Sequence, residues 1–309
     1  MTTTSATDNP ARGALYILAA AAAFSLMGVL VKLAGQGLPN EMLVFLRNAF
    51  ALLFMLPWLL RIRLGALKTR ALRLHLLRAA TGLAAMYCLF IAIQQIPLAE
   101  AMLLNQTAAL FIPFIALAWL GETFGVRIFI ALLIGFTGVG FILKPGPALL
   151  TNPAALIGLA SGLLAALSMV TIRRNARTEP PARIVFYFCV LGTIGSAVPL
   201  LWAWQTPTLL QWLIMLGAGG LATAGQLLVT KGYASAPPAQ VGPFAYASVL
   251  FAALAGWLIW GEVPDGWSAL GALLIISGGA LAMRRRMLRL AVAKPAAMGD
   301  APLPPGEAS

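Results

Sequence analysis

The sequence predicts an all-α membrane protein with ten transmembrane helices, arranged as two inverted five-helix repeats. Composition is the first observation that predicts this fold class. Hydrophobic residues make up 61% of the 309 residues and charged residues only 10%, whereas a soluble domain has about 25% charged residues. The mean hydropathy is +0.90. Because no water-soluble core could cover so much apolar surface, lipid must surround most of the chain.

The second observation is the length of the apolar segments, each close to the roughly 20 residues that cross a bilayer. These segments are long and rich in alanine and leucine. Because a segment in lipid must satisfy its own backbone hydrogen bonds, helices rather than strands are expected. The predicted spans, numbered 1 to 10 in chain order, cover residues 14–34, 42–60, 77–96, 99–119, 127–143, 155–172, 183–204, 209–230, 239–260 and 267–283.

The basic residues predict the orientation of these spans. With the N-terminus in the cytoplasm, all 21 basic residues except Lys32, Arg47 and Lys144 fall in cytoplasmic segments. Arg78 is counted here with the basic segment between spans 2 and 3. Since short cytoplasmic loops are enriched in lysine and arginine, both termini are predicted to be cytoplasmic.

The third observation is an internal repeat. When the chain is slid along itself until Pro97 meets Pro237, the same offset pairs Gly138 with Gly278, and Gly121 and Glu122 with Gly261 and Glu262. A slightly larger offset in the earlier part of the chain pairs Met27 with Met169 and Pro39 with Pro181. Each repeat has five spans, an odd number, so the second must insert upside down, as in many transporters. The predicted organisation is a tail over 1–12, repeats over 13–146 and 154–284, and a tail over 285–309.

The motifs at the ends of spans 4 and 9 resemble those of a known family. Segment 96–101 (IPLAEA) leads into span 4 and segment 119–122 (WLGE) closes it; segments 236–241 (APPAQV) and 260–262 (WGE) stand at the matching places in the second repeat. The sequence is similar to the EamA family of the drug/metabolite transporter superfamily. That resemblance implies transport of a small organic solute through a central cavity between the halves, across a bacterial inner membrane.

The resemblance leaves the substrate open. It favours export of an amino acid, an amino-acid derivative or a metallophore. The alternatives are import of a vitamin or nucleoside-like metabolite and, from other classes, a lipid flippase or a non-transporting membrane subunit. A flippase would be distinguished by a long lateral groove. The expected partners are therefore a small-molecule substrate and membrane lipid, and the sequence does not set an oligomeric state.

Several functions are disfavoured by what the sequence contains. The only histidine, His75, falls in a basic loop, and Cys88 and Cys189 lie in apolar segments without ligand-like neighbours. An enzyme, a metal site and a cofactor are therefore not expected. No Walker sequence is present, so ATP is not expected to drive transport. The net charge is +12, but the basic residues lie between apolar segments and in the C-terminal tail rather than on a soluble face. This distribution argues against binding of nucleic acid.

Two ionisable residues in or near the spans are the first candidates for substrate binding. Arg47 lies about five residues into span 2, so about 7–8 Å from its end. A charge at that depth should face the protein interior or a water-filled cavity. It could hold a substrate carboxylate, or it could snorkel or form a structural ion pair. Glu100 opens span 4, where the helix dipole favours an acid, and it could instead contact a substrate amine or couple transport to protons.

Uncharged polar residues inside the spans are further candidates. They form helix–helix hydrogen bonds or line a central cavity, and the candidates for substrate contact are Tyr87, Asn105, Gln106, Gln226, Tyr246 and Ser248. Glu122 and Glu262 recur in both repeats and are expected to hold loop geometry or to pair with nearby basic residues. Gly158 and Gly162 form a GxxxG motif, which predicts close helix packing rather than a phosphate loop.

Overall fold

A computed structural model describes residues 10–60, 67–120, 126–143, 153–175, 178–235 and 242–292, and these residues form helices and short connections without strands. A short 3₁₀ helix, Gly242–Tyr246, precedes α11. The α-helices are α1 Pro10–Ala34, α2 Asn40–Leu59, α3 Leu72–Gln95, α4 Leu98–Gln106, α5 Ala108–Leu120, α6 Val126–Leu143, α7 Ala154–Asn175, α8 Pro181–Ala197, α9 Leu200–Ala203, α10 Leu209–Ser235, α11 Ala247–Trp260 and α12 Gly266–Val292.

Six segments of the described chain are long and apolar enough to cross a membrane. They coincide with predicted spans 1, 2, 3, 4, 6 and 8. Four shorter apolar helical segments, at 129–141, 183–197, 244–260 and 266–278, coincide with spans 5, 7, 9 and 10. Many large apolar side chains are exposed on the outside, including Leu201, Leu250 and Leu258. This surface suits lipid as the surrounding medium, while a count of ten membrane crossings remains a prediction.

Three predicted spans are interrupted rather than continuous. Span 4 divides at Thr107 into α4 and α5, and span 9 begins as a 3₁₀ helix that becomes α11 at Ala247. Thr107 and Ala247 occupy matching places in the two repeats. Span 7 divides into α8 and α9 at Val198 and Pro199, because proline has no N–H to donate to the preceding turn. Non-helical backbone of this kind is tolerated where it is buried in protein.

The helices pack in pairs that an internal two-fold axis would relate. Helix α1 packs along α10, α3 packs along α7, and α6 packs along α12. In the last pair, a Cβ atom added to Gly138 would lie 2.6 Å from the carbonyl oxygen of Gly271. One added to Gly278 would lie 2.6 Å from that of Ala131. Because Gly138 corresponds to Gly278 and Ala131 to Gly271, the two contacts are equivalent, and this packing agrees with the repeat found in the sequence.

The start of α3 corrects the prediction for two residues. Span 3 was expected to begin at residue 77, but α3 begins at Leu72. His75 and Arg78 are therefore buried in the first turns of a helix, not exposed in a basic loop. Arg78 is 9% exposed. Of the basic residues counted for orientation, this one is inside the protein, because the helix extends further along the chain than its apolar stretch.

Candidate substrate site

A central cleft lies between helices of the two halves. The cleft is narrow, because the space in it that a water-sized sphere can reach is about 10 Å³, room for about one water molecule. Helix α2 belongs to the first half, and α8 and α10 belong to the second. The cleft is lined by Arg47, Ala51 and Met55 of α2, Val185, Phe188 and Cys189 of α8, and Ala222, Thr223 and Gln226 of α10. Two predicted site residues, Arg47 and Gln226, therefore meet at the boundary between the halves.

Arg47 is buried in this cleft, with 4% of its surface exposed. Its Nη1 donates a hydrogen bond to Oδ1 of Asn48 at 2.9 Å, and Asn48 is fully buried. Among the described residues, none accepts a hydrogen bond from the Nε of Arg47. Cys189, at the matching position of the second repeat, lines the same cleft. The prediction that Arg47 faces the protein interior is confirmed, because the residue lies between α2 and the helices of the other half.

Arg78 approaches the same place from α3. Its Nη1 donates to Oγ of Ser168 on α7 at 2.5 Å, and its guanidinium carbon lies 4.0 Å from the ring centroid of Phe188. Its Nε, too, has no hydrogen-bond partner in the part of the chain that the structure describes. Gly82, one turn further along α3, leaves the space for this side chain: a Cβ atom there would collide with Nη1 of Arg78 and lie 2.8 Å from Phe188.

Both arginines lie about two turns inside their helices. Arg47 is seven residues beyond the start of α2 and Arg78 is six beyond the start of α3, which corresponds to about 10 Å and 9 Å at 1.5 Å per residue. In the predicted topology these helices begin on opposite sides of the membrane. With that topology, both arginines are predicted to lie inside the membrane rather than at its surfaces.

Glu100 is placed away from Arg47. Its Oε1 accepts a hydrogen bond from Oγ of Ser268, at the start of α12, at 2.6 Å. The described residues show no contact that links Glu100 to Arg47, whose neighbours lie on α2, α8 and α10. The predicted contacts of Arg47 with a substrate carboxylate and of Glu100 with a substrate amine stay predictions.

Most of the other predicted polar residues make hydrogen bonds between helices. Nε2 of Gln106 donates to the carbonyl oxygen of Ala245 at 2.9 Å and to Oγ of Ser248 at 3.1 Å. Nδ2 of Asn105 donates to Oγ of Ser161 on α7 at 3.1 Å. Gln106, Asn105 and Ser248 thus form hydrogen bonds with one another or with neighbouring helices, close to the interruption between α4 and α5.

The two predicted tyrosines have buried hydroxyl groups that are not hydrogen bonded, those of Tyr87 and Tyr246. Tyr246 packs in an apolar cluster with Leu103, Leu110 and Val249. Neither tyrosine lines the central cleft described above. The GxxxG prediction is confirmed, because Cβ atoms added to Gly158 and Gly162 would press against α4.

A polar cluster joins the two halves at one end of the molecule, here named the Lys32 end (Lys32, Ile96, Leu98 and Glu262). Nζ of Lys32 forms an ion pair with Oε1 of Glu262 and donates to the carbonyl oxygen of Ile96 at 3.2 Å. Oε2 of Glu262 accepts from the N–H of Leu98 at 2.9 Å. The expectation that Glu262 pairs with a basic residue is confirmed, whereas Glu122 lies outside the described residues.

The backbone at the end of α11 positions this carboxylate. Gly261 has φ of 67°, the left-handed conformation that glycine adopts most readily at a helix end. The next residue, Glu262, donates its N–H back to the carbonyl oxygen of Gly256 at 3.1 Å. A Cβ atom on Gly256 would lie 2.8 Å from Oε2 of Glu262, so the carboxylate folds over its own helix to reach α1 and α4.

A second cluster joins the halves at the opposite end, here named the Glu179 end (Leu67, Thr69, Glu179, Arg183 and Tyr187). Oε1 of Glu179 accepts from Thr69 at 2.5 Å, and Oε2 pairs with Arg183 at 2.5 Å. The Tyr187 hydroxyl donates to the carbonyl oxygen of Leu67 at 2.9 Å. Burial favours a raised pKa for Glu179, but the hydrogen bonds from Thr69 and Arg183 and the positive charge of Arg183 outweigh it and lower that pKa.

Two features escaped sequence reasoning. Arg78 looked like a topology signal because it follows a run of basic residues, and only its helical phase beside Gly82 could have indicated burial. Lys32 was assigned to the outside without a partner, and its partner Glu262 is 230 residues away. Within the described ranges, no group of three His, Cys, Asp or Glu residues could hold a metal ion.

Comparison with known proteins identifies the family. The model of the EamA-like transporter family matches residues 11–144 and again residues 152–284. The chain is 33% identical over 267 residues to the pseudopaline exporter of Pseudomonas aeruginosa, covering 85% of this chain and 93% of that one. It is 32% identical over 294 residues to a riboflavin transporter of Rhizobium johnstonii, covering 94% and 97%.

A solved crystal structure shares the fold. It superposes with a TM-score of 0.63 at 20% sequence identity and covers 90% of this chain and 99% of its own. The double match of the family model, together with helices that pack as related pairs, accounts for nearly the whole described chain. The chain therefore belongs to the EamA-like transporter family of the drug/metabolite transporter superfamily.

Proposed function

We propose that this transporter exports a small polar or zwitterionic metabolite across the inner membrane by secondary transport, with the central cleft as its binding site. The observation that carries the proposal is Arg47, a charged residue buried in a cleft between the two halves. A charge at this depth is costly in lipid and marks a substrate or ion pathway in membrane proteins. The candidate substrates are amino acids, amino-acid derivatives and metallophores.

The contacts at the two ends support an alternating-access mechanism. Lys32 of the first half pairs with Glu262 of the second, and Thr69 of the first half donates to Glu179 of the second. Each end of the cleft is thus bordered by polar contacts between the halves. Breaking one set while keeping the other would open the cleft to one side of the membrane, as expected for two similar halves that rock against each other.

The direction of transport is proposed as outward because one relative, at 33% identity, is named an exporter. A second candidate function, uptake of a vitamin, is supported by the riboflavin transporter at 32% identity. The two are separated by measuring on which side of the membrane a solute accumulates. Amino-acid derivatives accumulating in the medium on overexpression support export, and vitamins accumulating in cells support import.

The test is untargeted metabolite analysis of cells and medium, with the gene deleted and overexpressed. Overexpression should lower one solute in the cells and raise it in the medium, and deletion should do the reverse. A strain that overexpresses Arg47→Ala at normal protein abundance serves as the matched control. It has the same amount of transporter in the membrane but lacks the proposed binding residue. If no solute changes between these strains, transport of a metabolite is contradicted.

The orientation is tested separately with alkaline phosphatase, which is active only outside the cytoplasm. Fusions within 144–153 and within 205–207 should be active, and a fusion at the C-terminus should be inactive. This pattern follows from the basic residues, which favour cytoplasmic loops. Activity at the C-terminus, or its absence at both loops, would contradict cytoplasmic termini.

A further inference from the structure

We propose that the substrate carries two carboxylate groups, one held by Arg47 and the other by Arg78. The proposal rests on the central cleft being the substrate site and adds the chemical class of what binds there. It names Arg78 as a binding residue that the sequence pattern did not indicate. The uncharged polar residues of the cleft and its apolar wall would contact the rest of the molecule.

The first step is the absence of counter-charge. Arg47 and Arg78 are 4% and 9% exposed, and their recorded hydrogen bonds go to uncharged groups, Asn48 and Ser168. Among the described residues, the ion pairs involve other basic side chains, Lys32 and Arg183. A buried charge is costly unless it is paired, so two neighbouring guanidinium groups without a carboxylate indicate that the partner comes from outside the protein.

The second step is the unused hydrogen-bonding capacity. The Nε atoms of both Arg47 and Arg78 are buried, and no described residue accepts a hydrogen bond from either. A guanidinium group presents its N–H donors in a planar fork that matches the two oxygens of a carboxylate. One neutral hydrogen bond on Nη1 fixes each side chain and leaves part of this fork free. The arrangement is that of a positioned binding group rather than of a satisfied structural arginine.

The third step is that the two arginines share one location. Phe188 lies under the guanidinium group of Arg78 and also lines the cleft of Arg47. The adjacent residue, Cys189, also lines that cleft. The positive charges of Arg47 and Arg78 thus both lie against the segment of α8 that contains Phe188, inside the protein. A single dianion could neutralise both, and this would relieve the repulsion as well as the cost of burial.

The fourth step is that the packing maintains this arrangement. Gly82 provides the space for Arg78, because any larger residue would collide with its Nη1 atom. Gly82→Ala therefore displaces Arg78 while leaving both arginines in the chain. This gives a variant that tests the geometry of the pair without removing a charge. Its effect on binding should resemble that of losing Arg78 alone.

The experiment measures binding without transport. The full-length protein is purified into phosphatidylcholine nanodiscs, and its thermal unfolding is followed with dicarboxylates from succinate to pimelate at constant ionic strength. A ligand that binds the folded state raises the Tm. At least one dicarboxylate should raise the Tm and bind at least about tenfold more tightly than butyrate, a difference of about 1.4 kcal/mol. The uncharged diamide of the same chain length should have no effect.

The variants assign this response to the two residues. Arg47→Gln and Arg78→Gln should each reduce dicarboxylate affinity to that of butyrate, Gly82→Ala should weaken it, and the lysine variants should keep part of it. Arg70→Gln, at an exposed position, should respond like the wild type. If a variant is poorly folded, protection of Cys189 against a thiol reagent in a Cys88→Ser background reports ligand binding in the wild-type site instead.

Three outcomes overturn the proposal. They are no response of the wild type to any dicarboxylate, an unchanged response in both arginine variants, or a response that disappears when phosphatidylglycerol is added to the nanodiscs, which would assign the site to lipid. Failure of the proposed function is distinguishable from these. In that case dicarboxylates bind at the two arginines, but no solute changes between deletion and overexpression strains.

Discussion

The centre of the molecule and its Lys32 end hold cations in opposite ways. Lys32 is paired with Glu262, and the same carboxylate accepts a backbone N–H. Arg47 and Arg78 in the centre have hydrogen bonds only to uncharged groups and keep an Nε without a partner. Both regions lie between the two halves. At the end the protein supplies the counter-charge itself, whereas in the centre it does not.

The difference teaches how to separate structural from binding charges in a membrane protein. A paired cation stabilises the fold, and removing one member leaves a buried charge unpaired. An unpaired cation destabilises the fold and persists because a ligand uses it. Substitutions in the two regions should therefore have opposite effects on stability and on transport.

The largest effect is expected from Arg47→Met. Transport should fall at least about tenfold, because a hydrogen bond to a charged group contributes about 1.5–3 kcal/mol. The Tm should stay equal or rise, since an unpaired buried charge is replaced by an apolar side chain of similar length. Both are measured on purified protein and proteoliposomes, using the solute identified by metabolite analysis. Arg70→Met is the matched control, and Arg47→Lys should restore transport only in part. Normal transport by Arg47→Met at wild-type abundance would show that the arginine is structural.

The second prediction concerns Glu100, an acid whose recorded partner is the hydroxyl of Ser268 rather than a cation. If this carboxyl group exchanges protons during transport, Glu100→Gln should remove the dependence on a pH gradient and leave membrane insertion intact. Transport is measured in proteoliposomes with and without an imposed gradient. Ser268→Ala is the control, because it removes the partner and keeps the titratable group. A Glu100→Gln protein with full gradient dependence would place coupling elsewhere or indicate exchange or uniport.

The third prediction breaks the paired cation. Lys32→Met and Glu262→Gln should each lower the free energy of unfolding by about 1–2 kcal/mol, less than a fully buried pair, because the side chains are 13% and 19% exposed. The double variant should lose less than the sum of the two, as measured by a double-mutant cycle. Cys189 should also react faster with a water-soluble thiol reagent in a Cys88→Ser background. Strict additivity, with unchanged labelling, would show that the pair neither stabilises the fold nor restricts access.

The smallest effect is expected at the Glu179 end. Its hydrogen bonds and the charge of Arg183 lower the pKa of Glu179, so ionised Glu179 stabilises the folded state above its ordinary pKa. That contribution is lost as the pH falls through the lowered pKa. Glu179→Gln should therefore cost about 1 kcal/mol at pH 7, and the difference from wild type should shrink below about pH 4. Thermal unfolding from pH 7 to about pH 3 measures this, and a difference that grows on acidification would contradict it.

A comparison of the predicted spans with the observed helices shows which parts of the fold can be predicted from local sequence. The apolar segments and the matching Gly-Glu motifs were enough to predict an all-helical chain with an internal repeat. The interruption at Thr107 and the start of α3 at Leu72 were not, because both depend on packing. Thr107 lies against Gly162 of α7, and His75 and Arg78 in the first turns of α3 are buried although both side chains are polar.

The sequence by itself determined that the protein lies in a membrane, that it has two related halves, and that Arg47 must avoid lipid. These follow from composition, spacing and the cost of burying a charge, which are local properties of the chain. Only the tertiary structure placed Arg47 and Arg78 against the same segment of α8, gave Glu100 a partner on α12, and paired Lys32 with Glu262. Such neighbours are decided by how helices from different parts of the chain pack, and one chain's residue pattern carries no direct record of that.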